Sequence, residues 1–166
     1  MIRTRLLCFA AVAALAGGCA TYVDPAKLPP GSTVDSVRKT FGPPTGEYTV
    51  AGGTRYEYAT GPCGKSTWMI DFDGAGKLRD AQQVLTEQRF NAVRPGIDAR
   101  ELRSTLGRPS EVWRLSRLNQ DVWRYRYDTP FCLVFQVSVG DDGKVVDSGY
   151  APDPMCETGD SDRSFN

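Results

Sequence analysis

The chain has 166 residues, of which 40% are hydrophobic and 10% aromatic, with 20 basic and 20 acidic side chains and no histidine. This length and apolar content suffice for one globular domain or two very small ones, and they exclude a wholly disordered chain. Zero net charge argues against a nucleic-acid binder that works by counterion release. The missing histidine excludes Ser-His-Asp, Cys-His and His-metal chemistry, whereas carboxylate chemistry survives this test.

Residues 1–18 have the pattern of a secretory signal peptide. Two arginines precede an apolar run at 6–16, and two glycines separate that run from Cys19. The run is shorter than the roughly 20 apolar residues that span a bilayer, so we expect an exported protein without a membrane-spanning helix.

The end of this leader also indicates a lipid anchor. Leu15-Ala16-Gly17-Gly18-Cys19 resembles the lipobox of bacterial lipoproteins, which implies that Cys19 carries acyl chains. Ala20 follows, and the absence of Asp there resembles lipoproteins that are sorted to the outer membrane. We therefore predict a lipidated linker at 19–27. The alternative is ordinary signal-peptidase cleavage after the small-x-small site that ends at Ala20.

An internal repeat organises the rest of the chain. Leu28–Pro44 aligns with Val93–Pro109, and after a four-residue insertion Arg55–Cys63 aligns with Arg124–Cys132. Two copies of one supersecondary unit therefore follow one another. We place them at 28–88 and 89–150, followed by an acidic flexible tail at 151–166.

Each copy predicts a short helix followed by an antiparallel meander. Ser32/Thr33 and Asp98 are expected N-caps, and Gly42 and Gly107 are expected to end the two helices. Aromatic residues then alternate at period two, which leaves Glu57, Arg124 and Arg126 on the opposite side. Strands are expected around 56–58, 68–72, 78–85, 123–127, 133–139 and 145–150, with shorter ones at 47–50 and 111–115 and a further short helix at 86–93. The fold class is therefore α+β, and because a unit of roughly 60 residues is marginal alone, we expect the two sheets to be shared or to abut.

Three cysteines remain beyond Cys19. In an oxidising compartment, this number predicts one disulfide and one odd thiol. The hairpin that starts after Cys132 places its cross-strand partner near Ala151, a few residues from Cys156. We expect a Cys132–Cys156 disulfide, with Cys63 free or in an intermolecular bond.

Aromatic residues are the main candidates for a partner surface. They are more numerous than one sheet face of a small domain needs, and two interpretations stay open: core packing, or a concave sheet that binds a partner. Arginines also concentrate in the second copy, interleaved with acids, which indicates a mixed surface or a face for lipid headgroups or an acidic partner. The candidate surface consists of Tyr56, Tyr58, Trp113, Trp123, Tyr125 and Tyr127.

Motifs for ligands and catalysis are weak. Residues 59–66 satisfy a relaxed phosphate-loop pattern but precede a predicted strand, whereas a phosphate loop needs a helix there. Residues 71–76 fail as a calcium loop because Ala75 supplies no side-chain oxygen. Asp71 and Glu57 are the best carboxylates for an acid/base pair, but no spacing singles them out. We predict a protein that is not an enzyme and that has no cofactor, metal or nucleotide.

The repeated pattern Pro-Gly-x-[Ser/Thr/Asp]-x-x-x-[Val/Leu]-Arg-x-x-[Phe/Leu]-Gly-x-Pro, followed by aromatic strands and a Gly-rich turn, resembles the SmpA/OmlA (BamE-like) family of small outer-membrane lipoproteins. Two copies in tandem also resemble the plan of beta-lactamase inhibitor protein. The first resemblance implies a lipid-anchored protein that faces the periplasm and supports outer-membrane protein assembly or envelope integrity. Its partners would be envelope proteins, including the barrel-assembly machinery. The second implies an inhibitor that binds a periplasmic or secreted enzyme through a concave aromatic sheet.

Overall fold

The computed structural model describes residues 23–61 and 63–157, so the predicted signal peptide and Cys19 lie outside the described residues. The first half, residues 23–83, begins with a 3₁₀ turn at Pro25–Lys27. It continues with α1 (Val34–Phe41), β1 (Gly46–Val50), β2 (Gly53–Ala59), β3 (Thr67–Asp73) and β4 (Leu78–Gln83). The second half, residues 84–157, contains α2 (Glu87–Phe90), α3 (Ala99–Leu106), β5 (Glu111–Leu115), β6 (Gln120–Arg126), β7 (Leu133–Gly140), β8 (Val145–Pro152) and α4 (Pro154–Glu157).

The strands form two separate four-stranded antiparallel sheets, one in each half. The order is β1-β2-β3-β4 in the first sheet and β5-β6-β7-β8 in the second, so every strand pairs with its neighbour along the chain. The α+β prediction is confirmed, and the two halves are similar. Of the two arrangements expected, shared or abutting sheets, a single shared sheet is not formed, because each sheet ends at its own edge strands.

Helices α1 and α3 have the same local construction. The side chain of Thr33 accepts a hydrogen bond from the Ser36 amide at the start of α1, and Asp98 accepts one from the Arg100 amide at the start of α3. Both helices end at a glycine with φ of 81°, a conformation that other residues adopt only with strain. Gly42 and Gly107 therefore fix the direction in which the chain leaves each helix.

Helix α1 covers one face of the first sheet. Val37 of α1 is fully buried in a cluster with Tyr56, Ile70 and Phe72, which all point to that face. Side chains alternate along a strand, so the residues between them belong to the opposite face.

That opposite face packs against α3, which therefore lies between the two sheets. Leu102 and Leu106 of α3 are buried with Tyr125 and Val137 of the second sheet, and Met69 of the first sheet joins the same cluster. The layers run in the order α1, first sheet, α3, second sheet. Helix α3 therefore holds the two halves together as one packed body.

The end of the second sheet extends further than expected. Strand β8 continues to Pro152, which pairs with Leu133, and α4 follows it. Asp153 is 4% exposed and forms an ion pair with Arg126 at 2.8 Å. Strand pairing through Pro152, this ion pair at Asp153 and the disulfide at Cys156 therefore hold the first residues of the predicted tail against the second half.

Among the residues that the structure describes, no helix has the length and apolar content that crossing a bilayer requires.

Candidate functional site

Half of the aromatic residues proposed as a partner surface belong to the core. Tyr56, Tyr125 and Tyr127 are only 7%, 0% and 3% exposed. Tyr56 lies beneath α1 with its ring 5.2 Å from that of Phe72, and the Tyr127 ring packs edge-on against Phe90 of α2 at 5.1 Å. These three tyrosines are not available to a partner, because helices cover the faces on which they lie.

The other three candidates are half-buried and do not form one surface. Tyr58 donates a hydrogen bond to the carbonyl oxygen of Gly42 at 3.2 Å in the first half. In the second sheet, Trp113 pairs with Val122 and Trp123 with Val137, so the two tryptophans lie on opposite faces. A concave aromatic sheet is therefore not present among the described residues.

The most buried carboxylate of the described residues lies at the junction between the halves. Glu57 is 0% exposed, and its carboxylate accepts hydrogen bonds from the Tyr48 hydroxyl at 2.6 Å and from Thr45 Oγ1 at 3.0 Å. A third bond comes from the Arg108 amide, directly after α3, at 3.1 Å. A buried carboxylate with three donors is held in place and satisfied. Glu57 therefore joins β2 to the end of α3, and it is not exposed to a substrate.

The second candidate carboxylate, Asp71, also has a structural partner. Arg55 donates to both of its oxygens, from Nε at 2.6 Å and from Nη2 at 2.7 Å. Arg55 Nη1 reaches across the junction to the carbonyl oxygen of Ser104 in α3, at 2.9 Å. This guanidinium therefore binds a carboxylate on its own sheet and a backbone carbonyl in the last turn of the neighbouring helix.

The junction predicts a loss of stability at high pH. Burial, together with the hydrogen bond to Glu57, raises the pKa of Tyr48 from 10.0 to about 12. The Tyr48 hydroxyl therefore loses its proton at a lower pH in the unfolded chain than in the folded protein. The contribution of Tyr48 to the free energy of unfolding is complete below pH 10 and is lost as the pH rises toward 12. In urea titrations between pH 8 and 12, the Tyr48→Phe variant is expected to lose less stability over this range than the unsubstituted protein does. An equal loss in both proteins would contradict this assignment, since the other tyrosines titrate in both.

The cysteines meet near the end of the second sheet. Cys132 and Cys156 are bonded to each other, with their Cα atoms 6.1 Å apart, and Cys63 is a free, exposed thiol. The carbonyl oxygen of Cys63 accepts a hydrogen bond from Arg126 Nη1 at 2.9 Å. Arg126 also binds Asp153, so the loop around Cys63 in the first half is tied to the end of the second sheet.

A cavity of about 220 Å³ opens at this end, on the face of the second sheet that points away from α3. We call it the arginine cavity. The guanidinium of Arg124 lies 4.6 Å from the centre of the Trp113 ring and forms an ion pair with Glu111, while its Nε is buried without a hydrogen-bond partner. The residues lining the cavity include Cys63, Ser110, Glu111, Arg124, Arg126 and Met155.

Exposed apolar side chains are unevenly distributed between the halves. Within the described residues, the first half has one large exposed hydrophobic residue, Val23, and all the others lie in the second half. Phe131 is 73% exposed and Met155 is 54% exposed, and each is the chain neighbour of a cysteine in the disulfide. The remaining exposed hydrophobics of the second half are Val112, Leu118, Val146 and Tyr150.

Metal ligands do not cluster in the described part of the chain: no group of three or more acidic or cysteine residues is close enough to hold an ion.

Comparisons with known proteins do not identify a family for this chain. No family model and no curated protein matches this sequence. Among solved structures, the chain is similar to a DUF4309 family protein (YjgB) from Bacillus subtilis, with 16% identity over 73% of this chain and 78% of that chain, and a TM-score of 0.28. A similarity this low carries no functional argument.

Proposed function

We propose that this protein is a non-enzymatic lipoprotein of the outer membrane, anchored through acylated Cys19 and facing the periplasm. Its folded body is a protein-interaction scaffold built from two copies of one helix-and-meander unit. It supports outer-membrane protein assembly or envelope integrity, as its resemblance to SmpA/OmlA (BamE-like) lipoproteins implies. The partners are envelope proteins, with the barrel-assembly machinery as the first class to test.

The observation that carries this proposal is the concentration of exposed apolar side chains in the second half. Isolated exposed hydrophobics are normal on protein surfaces, so it is their uneven division between the two halves, and not any single residue, that supports the proposal. Phe131 and Met155 are the chain neighbours of Cys132 and Cys156, so the disulfide brings their two chain segments to the same end of the second sheet. Exposed apolar side chains beside a polar cavity combine the two kinds of group that protein-binding surfaces contain.

The carboxylates also favour a scaffold over a hydrolase. Glu57 and Asp71 were the best candidates for acid/base chemistry, and both are engaged by structural donors. An inhibitor that works through a concave aromatic sheet has less support, because Tyr56, Tyr125 and Tyr127 are buried under helices.

The lipid anchor is tested by metabolic labelling with an alkyne analogue of palmitate. We expect the full-length chain to incorporate the label and to fractionate with the outer membrane, and the Cys19→Ala variant to lose both properties completely. The Cys63→Ala variant is the matched control, because it removes a different cysteine and should keep the label. Equal labelling of the Cys19→Ala chain would contradict the anchor.

The scaffold function is tested by cross-linking intact cells that produce the tagged full-length chain and identifying what co-purifies in mild detergent. Recovery of barrel-assembly components, lost with Cys19→Ala, is the expected result. Recovery of one soluble enzyme that is unaffected by Cys19→Ala would instead favour an inhibitor.

A further inference from the structure

A groove of about 270 Å³ lies in the first half, where the end of α1 meets the end of β2 and the start of β3. We call it the apolar groove. Among the described residues that line it, none is charged. The lining includes Val23, Pro25, Thr40, Phe41, Tyr58 and Trp68. This composition favours a hydrocarbon over a charged ligand, because a charge would enter the groove without a partner.

The hydroxyl groups of this lining already have partners within the protein. Thr40 Oγ1 and Thr60 Oγ1 donate to backbone carbonyl oxygens at 2.9 Å and 2.7 Å. The Tyr58 hydroxyl donates to the carbonyl oxygen of Gly42 at 3.2 Å. A hydrocarbon can therefore enter the groove without depriving these groups of a hydrogen bond.

The second half shows what fills the corresponding place there. When the repeat is continued three residues before Leu28, Pro25 aligns with Phe90, and Tyr58 aligns with Tyr127. Phe90 is 1% exposed, and its ring packs edge-on against that of Tyr127 at 5.1 Å. A proline side chain is smaller than that of phenylalanine, so the first half has a groove beside Tyr58 where the second half has an aromatic ring. The repeat thus indicates that a large apolar group fits this place.

The lipid anchor of the proposed function lies within reach of the apolar groove. Val23 lines the groove, and it is only four residues from Cys19. Four residues span at most about 14 Å of extended chain. Acyl chains on Cys19 are therefore tethered beside the groove of their own molecule.

The exchange of a chain between the bilayer and the groove also has a favourable balance. Both places are apolar, so the acyl chain itself gains or loses little when it moves. The groove lining gains, because side chains that face water become covered. Val23 is 43% exposed, and Phe41 and Trp68 are half-buried.

We propose that the apolar groove binds one acyl chain of the lipidated Cys19 of the same molecule and so holds the folded body against the membrane, with the groove toward the lipid. This inference rests on the acylation of Cys19 in the proposed function, and it adds a lipid-binding site on the folded body.

The test is photo-cross-linking in cells that produce the full-length, acyl-competent chain. The photoreactive amino acid p-benzoylphenylalanine replaces Thr40, which lines the groove, or Asp35, an exposed residue of the same helix that does not line it. Trypsin separates the lipidated peptide, residues 19–27, from the peptide of residues 40–55. We expect tandem mass spectrometry to find these two peptides joined by a bond from position 40 to a carbon of the acyl chain. Position 35 should give no such product.

Two variants test the groove itself. Pro25→Phe supplies the ring that Phe90 supplies in the second half, and Val23→Asp places a charge at an exposed position of the lining. Each should lower the yield from position 40 about tenfold, which corresponds to about two methylene groups left unburied. Val23→Asp changes only an exposed residue, so it keeps the test valid if Pro25→Phe fails to fold. Ala75→Asp adds the same charge in an exposed turn outside the groove and should leave the yield unchanged.

The outcomes separate this inference from the function on which it rests. An acylated 19–27 peptide that is not joined to position 40 would overturn the groove proposal and leave the anchor standing. So would a bond from position 40 to a phospholipid or to the Tyr22 side chain, or a yield that neither Pro25→Phe nor Val23→Asp lowers. A 19–27 peptide without acyl chains would overturn the anchor and the groove proposal together.

Discussion

Replacement of Gly107 by alanine is expected to destabilise the protein much more than replacement of Gly42, although the two residues have the same backbone conformation. Both have φ of 81°, so any side chain costs about 1–3 kcal/mol in either position. A Cβ on Gly42 would meet nothing within 4 Å, whereas one on Gly107 would lie 2.7 Å from Thr67 Cγ2 and 3.1 Å from Glu57 Cδ. This overpacking adds about 1–3 kcal/mol.

The comparison uses urea denaturation of the chain from residue 20 onward. Gly42→Ala is the matched control for backbone strain, and the difference between the two variants measures the packing of α3 against the first sheet. We expect Gly107→Ala to unfold at a lower urea concentration than Gly42→Ala, with the same dependence of the free energy of unfolding on urea concentration. Equal losses in the two variants would show that α3 does not pack this closely against the sheet.

Truncation of Glu57 is the second change with a large expected effect. Glu57→Ala leaves the Tyr48 hydroxyl and the Arg108 amide without their shared acceptor, whereas Thr45 Oγ1 keeps its bond to the backbone carbonyl oxygen of residue 57. Each unsatisfied buried donor costs about 1–3 kcal/mol, and the total is expected to be about 3–5 kcal/mol because the site relaxes in part.

Two variants serve as comparisons for Glu57→Ala. Glu57→Gln keeps the shape and one acceptor oxygen, so it should cost about 1–2 kcal/mol. Glu47→Ala removes an exposed glutamate of the same sheet, whose ion pair with Arg38 should contribute less than about 1 kcal/mol. A free energy of unfolding for Glu57→Ala that is as high as that for Glu47→Ala would rule out a buried junction at this residue.

The secondary structure follows from local signals in the sequence. The starts of α1 and α3 are marked by the N-caps Thr33 and Asp98, whose side chains accept hydrogen bonds from backbone amides of the first turn. Their ends are marked by Gly42 and Gly107, which redirect the backbone. The short strand predicted at 111–115 has those same bounds in the structure. Alternation at period two also assigned Tyr56 and Glu57 to opposite faces, as the pairing of β2 shows.

The arrangement of layers does not follow from such signals. Alternation of side chains separates the two faces of a strand, but it does not indicate which element covers each face. The sequence therefore places Glu57 on the side opposite the aromatic residues without indicating that α3 buries it. The apolar Met69, which stands opposite Glu57 on the neighbouring strand, was the available hint that this face is also covered. The candidate partner surface was misjudged for the same reason, since large tyrosines belong to whichever face receives a helix.

The position of α3 has a consequence for how the chain reaches its folded state. Glu57 and the Arg108 amide that it binds are 51 residues apart, and the core around α3 combines Met69 with Leu102, Tyr125 and Val145. During synthesis from the N-terminus, the first sheet is complete in sequence while one of its faces still lacks a cover, because α3 has yet to emerge. Closing so long a loop before the contact is gained slows folding. A chain that stops near residue 88, the predicted boundary between the repeats, would lack α3, so the face of the first sheet that carries Glu57 would be left open to water.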